Sequence, residues 1–264
     1  MPAIIISEIG ENHLGNMDIA IKMIQLSKEA GADYAKFQLY DANKTDIKDP
    51  ERDWFFKVAL SRQQVARIVK ERRRLKIKPL FSCWDIERAQ WCLDEGMGEI
   101  KIASFHINDK KLLSFINGHF RTVYLSTGMS TEVEIKKAVK ALGRIKNLYL
   151  LHRLTEYPTK SENINLKVMN VLRKFSAHVG YSDHSLDISA ILAAVANGAE
   201  VIEKHFTLSK DLPGTDHILS ADPQELKDMV NQIRKIEKLL GKGKKKITSL
   251  ESKNQQFLRK RFTH

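Results

Sequence analysis

Two short stretches hold the densest chemistry in the chain. "EVIEKHFTL" (200–208) runs an apolar strand pattern into Glu203, Lys204 and His205, and "GYSDHS" (180–185) ends a similar run in Asp183 and His184. Two imidazoles converging beside Ser and Glu suit a divalent metal such as Mn²⁺, Fe²⁺ or Zn²⁺, with Asp183, Asp216 and His217 as carboxylate or supporting partners. The plainer reading makes each a hydrogen-bonded histidine at a rim. Lys36, Lys101 and Lys204 each lie inside or at the end of an apolar strand pattern. Lysine is rarely buried without a partner. These lysines pair with Glu8 or Glu203, or they face an anionic ligand carrying phosphate and carboxylate. A lysine of lowered pKa could instead form a Schiff base. In "LSTGMST" (125–131), Ser126, Thr127 and Gly128 can offer hydroxyl and N–H groups to an anion, while Ser130 or Thr131 caps the next helix.

Positioning these groups requires a particular frame. Eight short apolar runs, at 3–8, 34–38, 79–84, 99–104, 122–127, 148–152, 178–183 and 200–206, alternate with helical patterns. Those helical patterns fall near 17–30, 61–76, 85–95, 108–117, 131–143, 164–175, 186–197 and 223–240, and Gly31, Gly96 and Gly198 sit where helices should stop. Near-continuous apolar strands separated by helices argue for a parallel sheet covered by helices. Eight such units predict a (β/α)8 TIM barrel over 1–240, with a doubly wound open sheet as the alternative. The barrel is favoured because polar residues recur at the strand ends: Glu8, Lys36 with Gln38, Ser82, Lys101 with Ser104, Ser126, His152, Ser182 with His184, and Lys204 with His205. A barrel brings those ends to one mouth. Residues 41–60 form a long connection after the second strand, and such loops commonly cover active sites.

Composition narrows the class. The chain has 264 residues, 42% hydrophobic, enough for one large core. The formal net charge of +12 concentrates in "KERRRLKIK" (70–78) and in the segment 241–264. The first reads as a solvated helix face and the second as a basic, disordered C-terminal extension. No zinc-finger spacing or RNA-recognition signature points to specific nucleic-acid binding. There is no long uncharged apolar run and no basic n-region before an apolar core, so neither a membrane span nor a signal peptide is expected. Two cysteines, Cys83 and Cys92, make no disulfide framework, and a cytoplasmic setting is expected.

Taken together, "SEIGENHLGN", "GADYAKFQ", "KIAS", "LSTGMST", "EYPT", "GYSDHS", "GAEVIEKHFTL" and "PGTDHILS" resemble the catalytic barrel of the sialic acid synthase family over residues 4–220. The resemblance implies condensation of phosphoenolpyruvate with a sugar aldehyde, giving a 2-keto-3-deoxy sugar acid and phosphate. It implies His184 and His205 as the metal pair, usually for Mn²⁺. Lys36, Ser82, Lys101, Ser104, Ser126 and Ser182 match positions that hold phosphoenolpyruvate. Gln38, Tyr157 and Asp216 match positions near the sugar, Glu8 a carboxylate at the reacting end, and Lys204 becomes a neighbour of the anionic substrate. Catalytic roles are thereby expected for Glu8 and Lys101.

The match departs in places. Phe105 and His106 stand where the family usually has Gly-Glu, which leaves His106 as the expected acid or base. "SCWD" (82–85) replaces "TPFD", the 41–60 loop looks short, and "HRLTEYP" (152–158) introduces Arg153 and Leu154. Family members usually continue into an antifreeze-like domain that supplies an arginine across a homodimer, and the chain stops about where that domain would begin. The metal and phosphoenolpyruvate half is therefore expected to be kept and the sugar half altered. A pyruvate-dependent Schiff-base aldolase and a non-catalytic sugar-phosphate-binding barrel are the competing readings.

Overall fold

The computed structural model describes residues 2–262. Eight strands, β1 (Ile4–Gly10), β2 (Tyr34–Leu39), β3 (Lys78–Cys83), β4 (Glu99–Ile102), β5 (Thr122–Ser126), β6 (Asn147–His152), β7 (His178–Asp183) and β8 (Val201–His205), close in sequence order into one parallel barrel. The open-sheet alternative is thereby excluded, because β8 pairs back onto β1 with Glu8 opposite His205. Helices α1 (Met17–Ala30), α2 (Arg52–Val58), α3 (Arg62–Leu75), α4 (Ile86–Asp94), α5 (Lys110–His119), α6 (Glu132–Ala141), α7 (Ser161–Ile164), α8 (Val168–Leu172), α9 (Ser189–Ala196) and α10 (Pro223–Leu240) connect and surround the strands. A further helix, α11 (Ser249–Phe262), follows.

Local chemistry explains the boundaries. On α1, Ala20, Met23, Ile24, Ser27 and Ala30 are buried at helical spacing, so one stripe faces the barrel. Asn16 caps its start by accepting from the amides of Asp18 and Ile19, and Gly31 ends it at φ 93°. Removing such a cap costs about 1 kcal/mol. Thr131 and Glu134 form a reciprocal capping box at α6, the capping role expected of Thr131. The same device acts in the basic extension, where Thr248 and Glu251 exchange backbone and side-chain hydrogen bonds. That extension is thus helical from Ser249, not disordered as expected. The 41–60 connection likewise contains a 3₁₀ turn (Ala42–Lys44) and α2, and the pattern near 164–175 resolves into the short α7 and α8.

Strand side chains alternate between two environments. Outward residues such as Ile5, Ile9, Phe37 and Phe81 join the helices in one continuous core. Inward residues Ile6, Tyr34, Leu80, Tyr124, Leu151 and Val201 form a separate plug. Gly180 completes that inner layer: a methyl there would meet the Val201 carbonyl oxygen and Leu151 Cδ2, each at 2.5 Å. Two residues further along these strands the inward positions are Glu8, Lys36, Ser82, Ser126, Ser182 and Glu203, which is where apolar filling gives way to polar chemistry.

Candidate active site

A cavity of about 360 Å³ opens at the C-terminal ends of the strands, the face on which barrel enzymes carry their chemistry. Two buried ion pairs make its floor. Lys36 on β2 pairs with Glu8 on β1, and Gln38 Nε2 donates to Glu8 Oε1 at 3.0 Å. Lys101 on β4 reaches across to β8 and bonds both Glu203 oxygens, at 2.9 and 2.8 Å. Ser182 on β7 donates to the same Glu203 carboxylate at 2.9 Å. The Gln38–Glu8 contact also explains Gly10. A Cβ there would lie 3.1 Å from Glu8 Oε1 and 3.3 Å from Gln38 Nε2, at φ +54°.

These pairs set the protonation of the floor. Burial pushes Glu203 up, but Lys101 and Lys36 outweigh it and hold the carboxyl well below its ordinary value. Burial lowers Lys101 to about 8, with Glu203 opposing and Lys36 assisting. Burial raises the Glu8 carboxyl, against the attraction of Lys36 and with the help of the Glu203 charge. One carboxyl of the floor is therefore firmly ionised and the other is closer to holding a proton.

One side of the cavity is built from rings. His184 and His205 lie with ring centroids 5.4 Å apart, and Tyr157 stacks on His184 at 4.3 Å. His184 Nδ1 is 2.7 Å from the Leu154 carbonyl oxygen, so Nδ1 carries the hydrogen and Nε2 keeps its lone pair. His205 Nδ1 is buried without a hydrogen-bond partner, with the Asp216 carboxylate 3.5 Å away. Burial lowers His184 to about 3, aided by the charge of Arg153. Burial also drives His205 well below its usual value, with His184 and Lys36 adding to the effect. Both imidazoles are thus neutral at pH 7, the form that ligates metal. Their donor chemistry fits a borderline divalent cation. Among the described residues no group of three or more His, Cys, Asp and Glu assembles a complete protein-only ligand set. The remaining coordination positions would fall to water or substrate.

The opposite wall is aromatic. Phe55 from α2, Trp84 after β3 and Phe105 after β4 line it, with Trp84 and Phe105 edge-to-face at 5.0 Å. The rim is acidic. Burial raises Glu11 to about 7, against a hydrogen bond from Trp54, and raises Asp216 to about 6, with Glu8 assisting and Arg153 opposing.

The structure brings Glu8, Lys36, Gln38, Ser82, Lys101, Tyr157, His184, His205 and Asp216 to this one cavity. Ser182 joins it through Glu203. Ser126 continues the inward series of β5, but its buried hydroxyl has no partner and does not line the cavity. Four expectations need correction. Lys204 lies on the opposite face of β8 from Glu203 and His205, where its ammonium bonds Asp183 at 2.6 Å and the Ser185 carbonyl at 2.5 Å. It is a buried structural pair, not a substrate contact. His106 sits in the 3₁₀ turn Ser104–His106, tucked beside Trp84 and Phe105 and outside the cavity lining. Phe105 takes the cavity-facing place instead. Ser104, in the same turn, is buried away from the lining, and His152 faces Ile164, whose carbonyl it meets at 2.7 Å. Period-two alternation, which a list of polar strand ends ignores, accounts for Lys204 and His152.

Sequence reasoning offered Glu203 as a lysine partner but not as a site residue, and treated Arg153 as an intrusion. Both line the cavity. For Arg153 a usable signal existed: Tyr149, Leu151 and Arg153 form one inward-facing series along and just past β6.

Comparison with known proteins agrees with this geometry. The NeuB family model matches residues 23–245. The N,N'-diacetyllegionaminic acid synthase of Campylobacter jejuni is 37% identical over 277 residues, covering 97% of this chain and 83% of that protein. The human N-acetylneuraminate-9-phosphate synthase is 30% identical, covering 95% and 74%. The structure of N-acetylneuraminic acid synthetase from Leptospira borgpetersenii superposes with a TM-score of 0.91 at 30% identity, covering 100% of this chain and 94% of that one. The barrel, its two-histidine mouth and these matches lead to one assignment: the chain belongs to the NeuB family, a family of sugar-acid synthases.

Proposed function

We propose that this protein condenses phosphoenolpyruvate with a sugar aldehyde, giving a 2-keto-3-deoxy sugar acid and phosphate, with a divalent cation at His184 and His205. Manganese is the candidate ion. The observation that carries the reading is the placement of two neutral imidazoles beside a floor of buried lysine–carboxylate pairs in one cavity. The named synthases among the relatives support the reaction class.

In this reading carbon 3 of phosphoenolpyruvate forms a bond to the aldehyde carbon. Water then adds at carbon 2, and phosphate leaves by cleavage of the C–O bond. A bound divalent cation supplies Lewis acidity toward the carbonyl oxygen. Lys36 and Lys101 offer ammonium groups to the carboxylate and phosphate, and their positive charge stabilises the oxyanions that develop. Glu203 holds Lys101 in place and keeps it protonated despite burial. Glu8, whose carboxyl burial raises, exchanges a proton at its carboxyl oxygen with the developing alkoxide or the attacking water. Tyr157 braces His184 by stacking. The Phe55–Trp84–Phe105 wall covers the acceptor and excludes water. Holding both substrates here removes up to about 7–11 kcal/mol of entropic barrier in ideal cases.

The test is phosphate release from phosphoenolpyruvate with Mn²⁺ and a panel of aldoses, with and without N-acyl groups. Release is expected for at least one aldose and should vanish with chelator or in His205→Ala. Release that persists after metal stripping would overturn the metal-dependent reading. The lowered pKa of Lys101 gives one reason to test a Schiff-base aldolase. Borohydride trapping of a pyruvate adduct on Lys101 would establish that alternative.

A further inference from the structure

The cavity contains three cationic side chains, Lys36, Lys101 and Arg153. Both lysines are already committed, to Glu8 and to Glu203. Among the described residues Arg153 has no carboxylate within ion-pair distance; its one polar side-chain contact is donation to the Tyr157 hydroxyl. Its Nε is buried and has no hydrogen-bond partner. A guanidinium offers five donors in a planar fork, so most of this one's capacity is unused. Its stem is held in place. A Cβ on Gly128 would sit 3.1 Å from Arg153 Cγ and 3.2 Å from its carbonyl oxygen, so the side chain packs directly on the β5–α6 turn. Its guanidinium lies 5.7 Å from the centroid of the Tyr157 ring, which in turn stacks on His184. Arg153 is thus a pre-positioned, unspent cation beside the imidazole pair. A buried donor left unmade is costly, about 1–3 kcal/mol, unless a ligand satisfies it.

We infer that Arg153 is a substrate-binding residue that receives a phosphate or carboxylate oxyanion through its planar fork. This rests on the condensing-enzyme reading only for the identity of the substrates. The oxyanion belongs either to phosphoenolpyruvate or to a phosphorylated acceptor sugar. An uncharged sugar offers a guanidinium single neutral acceptors, whereas an oxyanion gains charge-assisted, bidentate contact.

The experiment is calorimetric binding to the full chain with Mn²⁺ present, using four probes: phosphoenolpyruvate, inorganic phosphate, N-acetylmannosamine and its 6-phosphate. Arg153→Ala and Arg153→Lys are compared with the native protein, and circular dichroism confirms that each variant is folded. Arg153→Ala should weaken phosphoenolpyruvate or the sugar phosphate by about tenfold or more. Arg153→Lys should recover only part of that loss, and the unphosphorylated sugar should be unaffected. Loss confined to phosphoenolpyruvate places the oxyanion on the donor; loss confined to the sugar phosphate places it on the acceptor. Unchanged affinity for both anions in Arg153→Ala overturns the inference, as does a native protein that binds neither. Phosphate release measured in parallel separates the two ideas. Absent turnover with Arg153-dependent anion binding sinks only the condensation reading, and normal turnover with Arg153-independent binding sinks only this one.

Discussion

Glu203→Gln isolates the electrostatics of the floor with almost no change in volume. In the native protein Glu203 receives two hydrogen bonds from Lys101, at 2.9 and 2.8 Å, and one from Ser182. Breaking a buried pair from one side leaves an uncompensated charge and costs about 3–5 kcal/mol. Lys101 tells the same story: even with Glu203 present, burial has lowered it from 10.5 to about 8, which corresponds to roughly 3 kcal/mol against the charged form. Without the carboxylate that depression must deepen, and Lys101 should lose its proton near or below neutrality. The sign follows from proton counting. Between the folded and unfolded lysine pKa values the unfolded chain binds more protons, so stability rises with pH. In the native protein that window runs from about 8 to 10.5; in Glu203→Gln it starts lower. Urea unfolding at pH 6, 7.5 and 9 should show the variant destabilised by about 3–5 kcal/mol at pH 6, with the deficit shrinking as pH rises. The double variant Lys101→Met/Glu203→Gln should be more stable than the two single losses add up to, because no charge is then stranded. A deficit under about 1 kcal/mol at pH 6, or simple additivity, would refute the argument.

Other outcomes follow from the same geometry. Lys204→Met strands the fully buried Asp183 and should cost about 3–5 kcal/mol by urea unfolding. In whatever fraction folds, it should leave the phosphoenolpyruvate KM within about twofold, since the ammonium faces away from the cavity; a KM rise of tenfold would restore Lys204 to the substrate site. His106→Gln should lower phosphate release by less than about threefold, whereas loss of a general acid or base typically costs on the order of 10²–10⁴. Glu11 has a folded-state pKa raised to about 7, so between 4.5 and 7 the native state binds more protons than the unfolded chain. This residue therefore makes stability fall as pH rises through that window, and Glu11→Gln should flatten the profile there in a thermal-melt series.

Much of the frame was legible because it rests on local rules. Strand and helix alternation, Gly31 as a stop and Thr131 as a cap all follow from short-range chemistry. What failed was anything decided by the face of a strand or the path of a turn. Lys204 and His205 are adjacent in sequence yet serve different layers, one an outward ion pair and the other a cavity imidazole. His106 was displaced by its neighbour: the 3₁₀ turn after β4 presents Phe105 to the cavity and turns His106 toward Trp84. Helix α11 escaped because its Thr248–Glu251 box lies inside a lysine-rich run that reads as solvated coil.

The charge inventory gives the site its logic. Three cationic side chains line the cavity against five carboxylates, Glu8, Glu11, Glu51, Glu203 and Asp216. Phosphoenolpyruvate near neutral pH brings roughly three more negative charges. The lysines cannot meet that load alone, since each is already balanced by a floor carboxylate. Partial protonation of Glu11 and Asp216, raised to about 7 and about 6, removes some of the deficit. Under the proposed reaction the remainder would fall to Arg153 and to a cation at the neutral imidazoles. Pairing with Glu203 also favours the charged form of Lys101 before substrate arrives, against the effect of its burial. In the proposed reading the carboxylates are part of the anion site: Glu203 supports the charged form of Lys101, and substrate oxygens would share the ammonium protons. An acidic rim and an aromatic wall face the other reactant, an arrangement that suits a hydroxylated acceptor with an apolar face better than a second polyanion.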